Sequence, residues 1–294
     1  MSKLDNLGNV LIRSDLNVPI KNGEITDNFR ILKSVEILEN ILNKSRTVTF
    51  TSHMGRPNGN DLNLSLRPVA ESMSDFLGKE VRFIEEVFGE KVEEQIEKSE
   101  SKIFLLENLR FEKGEIENDK EFSNQITKPF NSYIFDAFGA AHREHASVVS
   151  FGENLESFQG PLMDKEIHEL DRLLNNSESG YAVLLGGAKI SDKLNLIEKL
   201  LPKVEYLMVG GGMCFTLLKA LGHEIGRSLL EESFISKAGE LLNSRFGKKI
   251  ILPIDFGVTD SIDSSVRENV KLDDFKNNHI CLLYTSDAAD EVLG

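Results

Sequence analysis

Seven runs of β-branched and aliphatic residues alternate with stretches of helical period, and each run ends in a short segment carrying glycine or charge. The strand-like runs are Val10–Arg13, Thr47–Thr51, Lys102–Leu106, Tyr133–Phe135, Ala182–Leu185, Tyr206–Val209 and Lys249–Leu252. Between most of them lie helix-period stretches such as Ile31–Leu42, Arg67–Leu77, Lys165–Leu174, Leu194–Leu201 and Glu231–Phe246. That alternation implies parallel strands joined by crossover helices, so the chain reads as an α/β protein of the doubly wound kind.

In open α/β sheets ligands sit beyond the carboxyl ends of the strands. The segments at those ends are RSDLNVP (13–19), TSHMGRP (51–57), ENLRF (107–111), FDAFGAAHREH (135–145), GGAKISDK (186–193), GGGM (210–213) and LPIDFG (252–257). Five of the seven hold an Arg, His or Lys able to grip phosphate. An enzyme acting on phosphates is the expectation, with its site assembled along a sheet.

At 294 residues the chain is long enough for two domains. A net charge of -14 argues against general binding to nucleic acid or anionic membranes. Against that acidic background the cationic motif residues stand out. Cys214 and Cys281 do not make a disulfide framework, and the start, MSKLDNLGNV, has no basic-then-apolar signal. No apolar stretch approaches the roughly 20 residues needed to cross a bilayer. A reducing cytoplasm is the expected location.

Segment 152–160, GENLESFQG, is polar and glycine-flanked, and an amphipathic stretch follows it before the NNSESG turn restarts the strand pattern. These features place a first domain at 1–160, a connecting helix at 161–178 and a second domain from 179 onward. The charge-rich stretch Glu85–Lys102 reads as a solvated helix face.

Taken singly the motifs are weak. Asp15 and Asn17, two apart, project to one side of an extended chain and suit the hydroxyls of a small polar ligand, or else simply cap a turn. His53, Gly55 and Arg56 combine close backbone approach with cations or donors, as a phosphate or carboxylate site needs. Arg110 and Arg143 fit the same role or that of surface ion pairs. His142 and His145 have the three-residue spacing of metal ligands on a helix, with no third ligand evident. In GGAKISDK the glycines admit a phosphate to backbone N–H groups at a helix start, and Lys189 and Lys193 are spaced one helical turn apart. It matches neither the P-loop nor the GxGxxG fingerprint.

The order and wording of these segments together resemble the phosphoglycerate kinase family, nearly continuously from Val10 to about Phe256. TDNFRI (26–31), LLENLRF, DAFGAAHR, LLGGAKISDK, GGGMCFTLLK and LPIDF carry the resemblance. It implies two Rossmann-like domains, the first binding 3-phosphoglycerate and the second the nucleotide. It also implies phosphoryl transfer between 1,3-bisphosphoglycerate and ADP, with Mg2+ carried alongside ATP or ADP, in a monomer with small-molecule partners only. By position, Asp15 and Asn17 would hold the glycerate, with Arg30, His53, Gly55, Arg56, Arg110 and Arg143 around it. Gly187, Ala188, Lys189 and Lys193 would bind nucleotide phosphates, and Gly211 and Gly212 would lie beside the adenosine. Arg30 and Lys189 are the expected catalytic cations, because in-line phosphoryl transfer asks for positioning and charge neutralisation rather than a nucleophilic side chain. Substrates on separate domains imply closure, with the 161–175 helix as hinge.

The later family motifs, DxGP, WNGP with its glutamate, and GGGD, are missing, and the chain has no Trp. With them go the ribose-binding carboxylate and the Asp that engages Mg2+, so the second domain, 179–280, is expected to be incomplete. CLLYTSDAADE (281–291) resembles no part of the family and looks like translated sequencing adapter. Residues 281–294 are therefore expected to be an artefactual tail. Two other readings remain open here: a catalytically dead fragment that only binds 3-phosphoglycerate, and a dinucleotide oxidoreductase, which lacks GxGxxG and its partner acidic residue.

Overall fold

The computed structural model describes residues 6–21, 23–175, 180–261 and 267–281. The expected tail therefore lies outside the described residues, except for Cys281. By internal packing the chain divides into two compact units, Met1–Leu170 and Asp171–Gly294. The division falls inside the helix that the sequence assigns to the connector.

The first unit holds strands β1 (Gly8–Ser14), β2 (Ile20–Lys21), β3 (Glu24–Ile25), β4 (Ser45–Thr51), β5 (Arg82–Ile84), β6 (Ile103–Leu106), β7 (Ser132–Asp136) and β8 (Glu156–Gln159). Six form one sheet in the order β5-β6-β4-β1-β7-β8. Every pairing in it is parallel. From β1 the chain passes to β4, then to β5 at the edge and back to β6 between the two, before crossing to β7 and β8 on the other side of β1. This is the doubly wound pattern, and its reversal falls between β1 and β7.

Parallel strands buried on both faces read as continuous apolar runs. In β1, Val10 and Ile12 pack on one face with Val48, Phe50 and Leu105, against Ile31, Val35, Val69 and Met73 of helices Phe29–Val35 and Arg67–Leu77. Leu11 turns to the other face, with Phe104 and Tyr133, against Val92, Ile96, Phe122, Ile126 and Phe151 of helices Glu90–Lys98, Lys120–Thr127 and Ser150–Asn154.

Several elements depart from expectation. The polar, glycine-flanked segment 152–160, in which the periodicity shows no strand, supplies one: Glu156–Gln159 pairs with β7 at the edge of the six-stranded sheet, and its polar sequence is that of an edge. The stretch 85–102, by contrast, keeps most of its charged residues exposed, in line with a solvated helix face, and buries Val92 and Ile96 on the side opposite. Ile31–Leu42 is two short helices, Phe29–Val35 and Leu38–Ile41, instead of one.

Helix Pro161–Asn175 leaves the sheet from a fixed point. Asp136, the last residue of β7, accepts hydrogen bonds at Oδ1 from the backbone N–H groups of Leu162 (2.8 Å) and Met163 (2.9 Å). A carboxylate there meets two of the orphan donors of a helix N-terminus. Burial nonetheless pushes the Asp136 carboxyl above its ordinary value.

The second unit contains strands β9 (Ala182–Leu185), β10 (Tyr206–Val209) and β11 (Ile250–Ile251), parallel in the order β11-β10-β9. Val183, Leu185, Leu207 and Val209 meet helices Leu194–Leu200, Met213–Ala220 and Ile235–Leu242 in a single core. Leu184, Tyr206 and Ile251, on the opposite face, are exposed. Strands β12 (Asp255–Thr259), β13 (Glu268–Lys271) and β14 (Ile280–Cys281) add a small antiparallel sheet that the strand periodicity did not anticipate.

Candidate functional site

In the first unit the candidate residues follow the carboxyl ends of β1, β4, β6 and β7, beside the reversal of strand order. A continuous set of hydrogen bonds links most of them. Arg30 Nη1 donates to both Asp15 oxygens (3.2 Å each) and to the Asn17 carbonyl (3.0 Å). The Asn17 side-chain oxygen accepts from Gly55 N–H (2.9 Å), and Arg110 Nη1 donates to the Gly55 carbonyl (2.6 Å). Gly55 adopts φ +59, where the left-handed backbone aims both of its polar groups at this network. A cleft of about 320 Å³ opens beside the Asp15–Arg30 pair, with Lys33, Asp136 and Glu166 also on its walls.

The loops that carry these side chains are fixed from below. Asn108 caps the 3₁₀ turn Leu109–Phe111 by accepting from Arg110 N–H (3.1 Å), and it also accepts from Met54 N–H (3.1 Å). Its amide donates to the Met54 and Leu64 carbonyls (2.9 Å each). One side chain thus ties the β4 loop to the β6 loop, which brings His53 and Arg110 together.

His53 is buried, and burial together with the neighbouring Arg13, Arg110, Arg143 and His145 lowers its pKa to about 2. The ring is therefore neutral at ordinary pH. Because a guanidinium only donates, the bond from Arg13 Nη2 to His53 Nδ1 (3.0 Å) leaves the ring proton on Nε2. His53 is a neutral donor here, which removes the cationic option that the sequence left open.

Arg110 is also buried, and its pKa falls to about 10, first through burial and then through Arg143 and Arg13. Its Nη2 has no hydrogen-bond partner among the described residues. A buried, unpaired guanidinium nitrogen in a cluster of like charge is costly unless an anion completes it. Arg56 is exposed and Arg143 half-buried, and both act electrostatically on Arg110.

Sequence reasoning passed over the support beneath this cluster. Arg13, the largest fully buried side chain among the described residues, donates from Nε to Ser147 Oγ (3.0 Å) and from Nη1 to the Ser14 carbonyl. Ser147 in turn donates to Glu115 from its N–H (2.9 Å) and its hydroxyl (2.7 Å). Burial alone would raise the Glu115 carboxyl, but bonds from His145 and Ser147 and the charge of Arg13 hold it below the ordinary value. Glu115 is thus a buried anion set against the cationic cluster. Arg13 lay within RSDLNVP but was not singled out there, and Glu115 carries no local signal. His145 lies 3.6 Å from Glu115 and His142 is exposed, on an irregular turn rather than a helix. No metal-binding group of His, Cys, Asp and Glu is present among the described residues.

In the second unit the two glycine segments lie back to back. Met213 N–H donates to the Gly187 carbonyl (3.0 Å). Gly211 has φ +63, and a Cβ there would lie 2.7 Å from the Gly187 oxygen and 2.8 Å from its nitrogen. Only glycine fits. Residues 186–193 are not the start of a helix: the helix begins at Leu194, and Ile190 through Lys193 form a turn closed by Lys193 N–H to the Ile190 carbonyl (3.0 Å). Lys189, just before that turn, and Lys193, at its end, are both exposed, with no helix between them to stack them one helical turn apart. Gly187, Ala188 and Lys189 precede the turn, while Gly212 precedes helix Met213–Ala220.

Comparison with known proteins agrees with this architecture. The family model described as phosphoglycerate kinase matches residues 4–291, a span that includes most of the segment the sequence sets apart as a tail. A phosphoglycerate kinase of Dictyoglomus turgidum is 41% identical over 275 residues, which are 92% of this chain and 69% of that protein. One from Thermus thermophilus is 43% identical over 267 residues, 89% of this chain and 68% of that protein. The solved phosphoglycerate kinase of Coxiella burnetii superposes with a TM-score of 0.78 at 32% identity, covering 99% of this chain and 76% of that one. The doubly wound sheet, the motifs at its strand ends and these matches together mean that the chain belongs to the phosphoglycerate kinase family.

Proposed function

We propose that the first unit binds 3-phosphoglycerate and that the turn 186–193 with the loop 210–213 binds the nucleotide. The enzyme is a phosphotransferase that exchanges a phosphoryl group between 1,3-bisphosphoglycerate and ADP, yielding 3-phosphoglycerate and ATP. The observation that carries the site assignment is Arg110 Nη2, a buried donor without a partner among Arg13, Arg56 and Arg143. Such a group suits the phosphate of the glycerate.

In the direction of ATP use, a carboxylate oxygen of 3-phosphoglycerate attacks the γ-phosphorus as its bond to the bridging oxygen of ADP breaks, and ADP leaves with that electron pair. The reverse step returns the phosphoryl group from the acyl phosphate to ADP. No proton moves, so the protein needs no general base. Its residues hold the reactants and offset charge on the equatorial oxygens. Asp15 and Asn17 suit the glycerate hydroxyl, His53 offers Nε2–H, and Arg56, Arg110 and Arg143 suit the phosphate. Arg30 and Lys189 are the cations assigned to the transferring group. Arg30 is held near Asp15 and Asn17 before any ligand arrives.

Mg2+ accompanies the nucleotide in this reading. The described residues form no protein cradle for it. The two free cysteines, Cys214 and Cys281, support a reducing cytoplasmic setting, and the family supports a monomer. No helix among the described residues is long and apolar enough to cross a membrane.

Calorimetric titration with 3-phosphoglycerate tests the assignment. Parent protein should bind it, and Arg110→Met and Arg143→Met should each weaken binding about tenfold or more. Unchanged affinity in both variants would remove the anion site from this cluster.

A further inference from the structure

The turn proposed to bind nucleotide phosphates has no helix of its own to shape it. Residues 186–190 are irregular, and the helix that follows begins only at Leu194. A phosphate-binding turn must nevertheless present its N–H groups and lysine in one arrangement, because ordering them on binding subtracts from affinity. The described contacts show what holds this one.

Glu231 reaches it from forty residues away, on the segment that leads into the 3₁₀ turn Glu232–Phe234. Its Oε2 accepts the backbone N–H of Ser191 (3.0 Å), and its Oε1 accepts the Ser191 hydroxyl (2.6 Å). It also accepts a bond from the Ile190 backbone N–H and is drawn electrostatically to Lys189. Glu231 is itself anchored, since its own N–H donates to Thr216 Oγ1 (3.3 Å) on the helix that follows the second glycine loop. One carboxylate therefore brackets two successive backbone N–H groups of the first loop while hanging from the element behind the second. Bonds to a carboxylate are the strong class of hydrogen bond, and two on adjacent amides fix the local backbone.

We propose that Glu231 is a positioning residue for the nucleotide site, holding the Gly186–Lys193 turn in its phosphate-binding shape through Ile190 and Ser191. This rests on the reading of that turn as the nucleotide site. Glu231 touches no reacting atom; it acts through the backbone that carries Lys189.

The test uses the full chain and Mg·ADP as probe, with 3-phosphoglycerate titrated as the control ligand. Glu231→Gln keeps the size of the side chain but removes its charge, so its bonds to the turn are no longer charge-assisted. ADP affinity should fall about tenfold while 3-phosphoglycerate affinity stays within twofold. Glu231→Asp, which keeps both acceptors, should recover part of the loss, and a simple packing defect would not rank the variants so. Amide exchange at Ile190 and Ser191 should quicken in Glu231→Gln without ligand. Where Glu231→Gln does not fold, Ser191→Ala decides: it removes one donor, and it should raise the ADP dissociation constant and the exchange rate at Ile190.

Lys189→Met separates the two claims. Loss of ADP affinity in Lys189→Met with none in Glu231→Gln or Ser191→Ala overturns the positioning role alone. Unchanged ADP affinity in all three overturns the reading of the turn as a nucleotide site.

Discussion

Replacing Arg110 by Met should weaken anion binding sharply while leaving the ligand-free protein almost as stable as before. Three contributions set the balance. The variant loses the charge-assisted bond from Arg110 Nη1 to the Gly55 carbonyl, worth about 1.5–3 kcal/mol. It gains by removing a buried donor, Nη2, that has no partner, a group that costs about 1–3 kcal/mol. It also gains relief from Arg143 and Arg13, the charges that lower the Arg110 pKa. Loss and gain nearly cancel, so stability without ligand should stay within about 1 kcal/mol of the parent. Urea unfolding followed by far-UV circular dichroism measures this with and without 3-phosphoglycerate. At a ligand concentration one hundred times its dissociation constant the parent should gain about 2.7 kcal/mol. With affinity down about ten- to hundredfold, the variant at that same concentration should gain only about 0.4–1.4 kcal/mol. A variant that keeps the full ligand-dependent gain, or that loses more than about 3 kcal/mol without ligand, refutes the reasoning.

Arg30→Ala should lower turnover roughly a hundredfold, with a smaller effect on 3-phosphoglycerate binding, because a cation aimed at developing charge acts on the transition state; steady-state kinetics that show the loss entirely in KM would make it a binding residue. Lys193→Met should weaken ADP but not 3-phosphoglycerate in calorimetry, and equal losses would break the division of ligands between units. His53 has a folded pKa near 2, below its unfolded value of 6.5, so the unfolded chain binds the extra proton. Its contribution to stability is complete above pH 6.5 and is lost as pH falls below that value, at up to about 1.4 kcal/mol per unit; His53→Gln should flatten the acid limb of a stability profile between pH 6.5 and 4, and an unaltered limb would count against the buried neutral ring. Gly211→Ala should cost more than about 1 kcal/mol of stability, from its positive φ alone and before any clash with Gly187; an unchanged urea midpoint would show that the two loops are not interlocked.

What could be read from the sequence followed from burial. Strands β1, β4, β6 and β7 were visible because a parallel strand covered on both faces is written as an unbroken apolar run. Strand β8 was not, since Glu156, Ser157 and Gln159 face solvent at the sheet edge and leave no such run. The three-residue β5 and the two-residue strands β2 and β3 are too short to show a period. The site divided in the same way. Residues at strand ends announced themselves, because glycine and arginine after an apolar run are unusual. Their supports did not, for Arg13 meets Ser147 across 134 positions and Ser191 meets Glu231 across 40. The spacing of Lys189 and Lys193 misled for a simpler reason: the four-residue interval marks a helix only where one forms, and here it begins at Leu194.

The pairing of Asp136 with the first turn of helix Pro161–Asn175 gives that helix a direction of failure. Its entry is fixed twice over: Gly160 N–H donates to the Phe135 carbonyl (2.9 Å), and Asp136 takes the N–H groups of Leu162 and Met163. Heating should therefore leave the turn next to β7 among the last parts of the helix to open. Asp136→Ala should reverse that order and let the segment peel from the sheet first. The carboxylate at the end of β7 thus does for this helix what a knot does for a rope, in that it decides which end can fray.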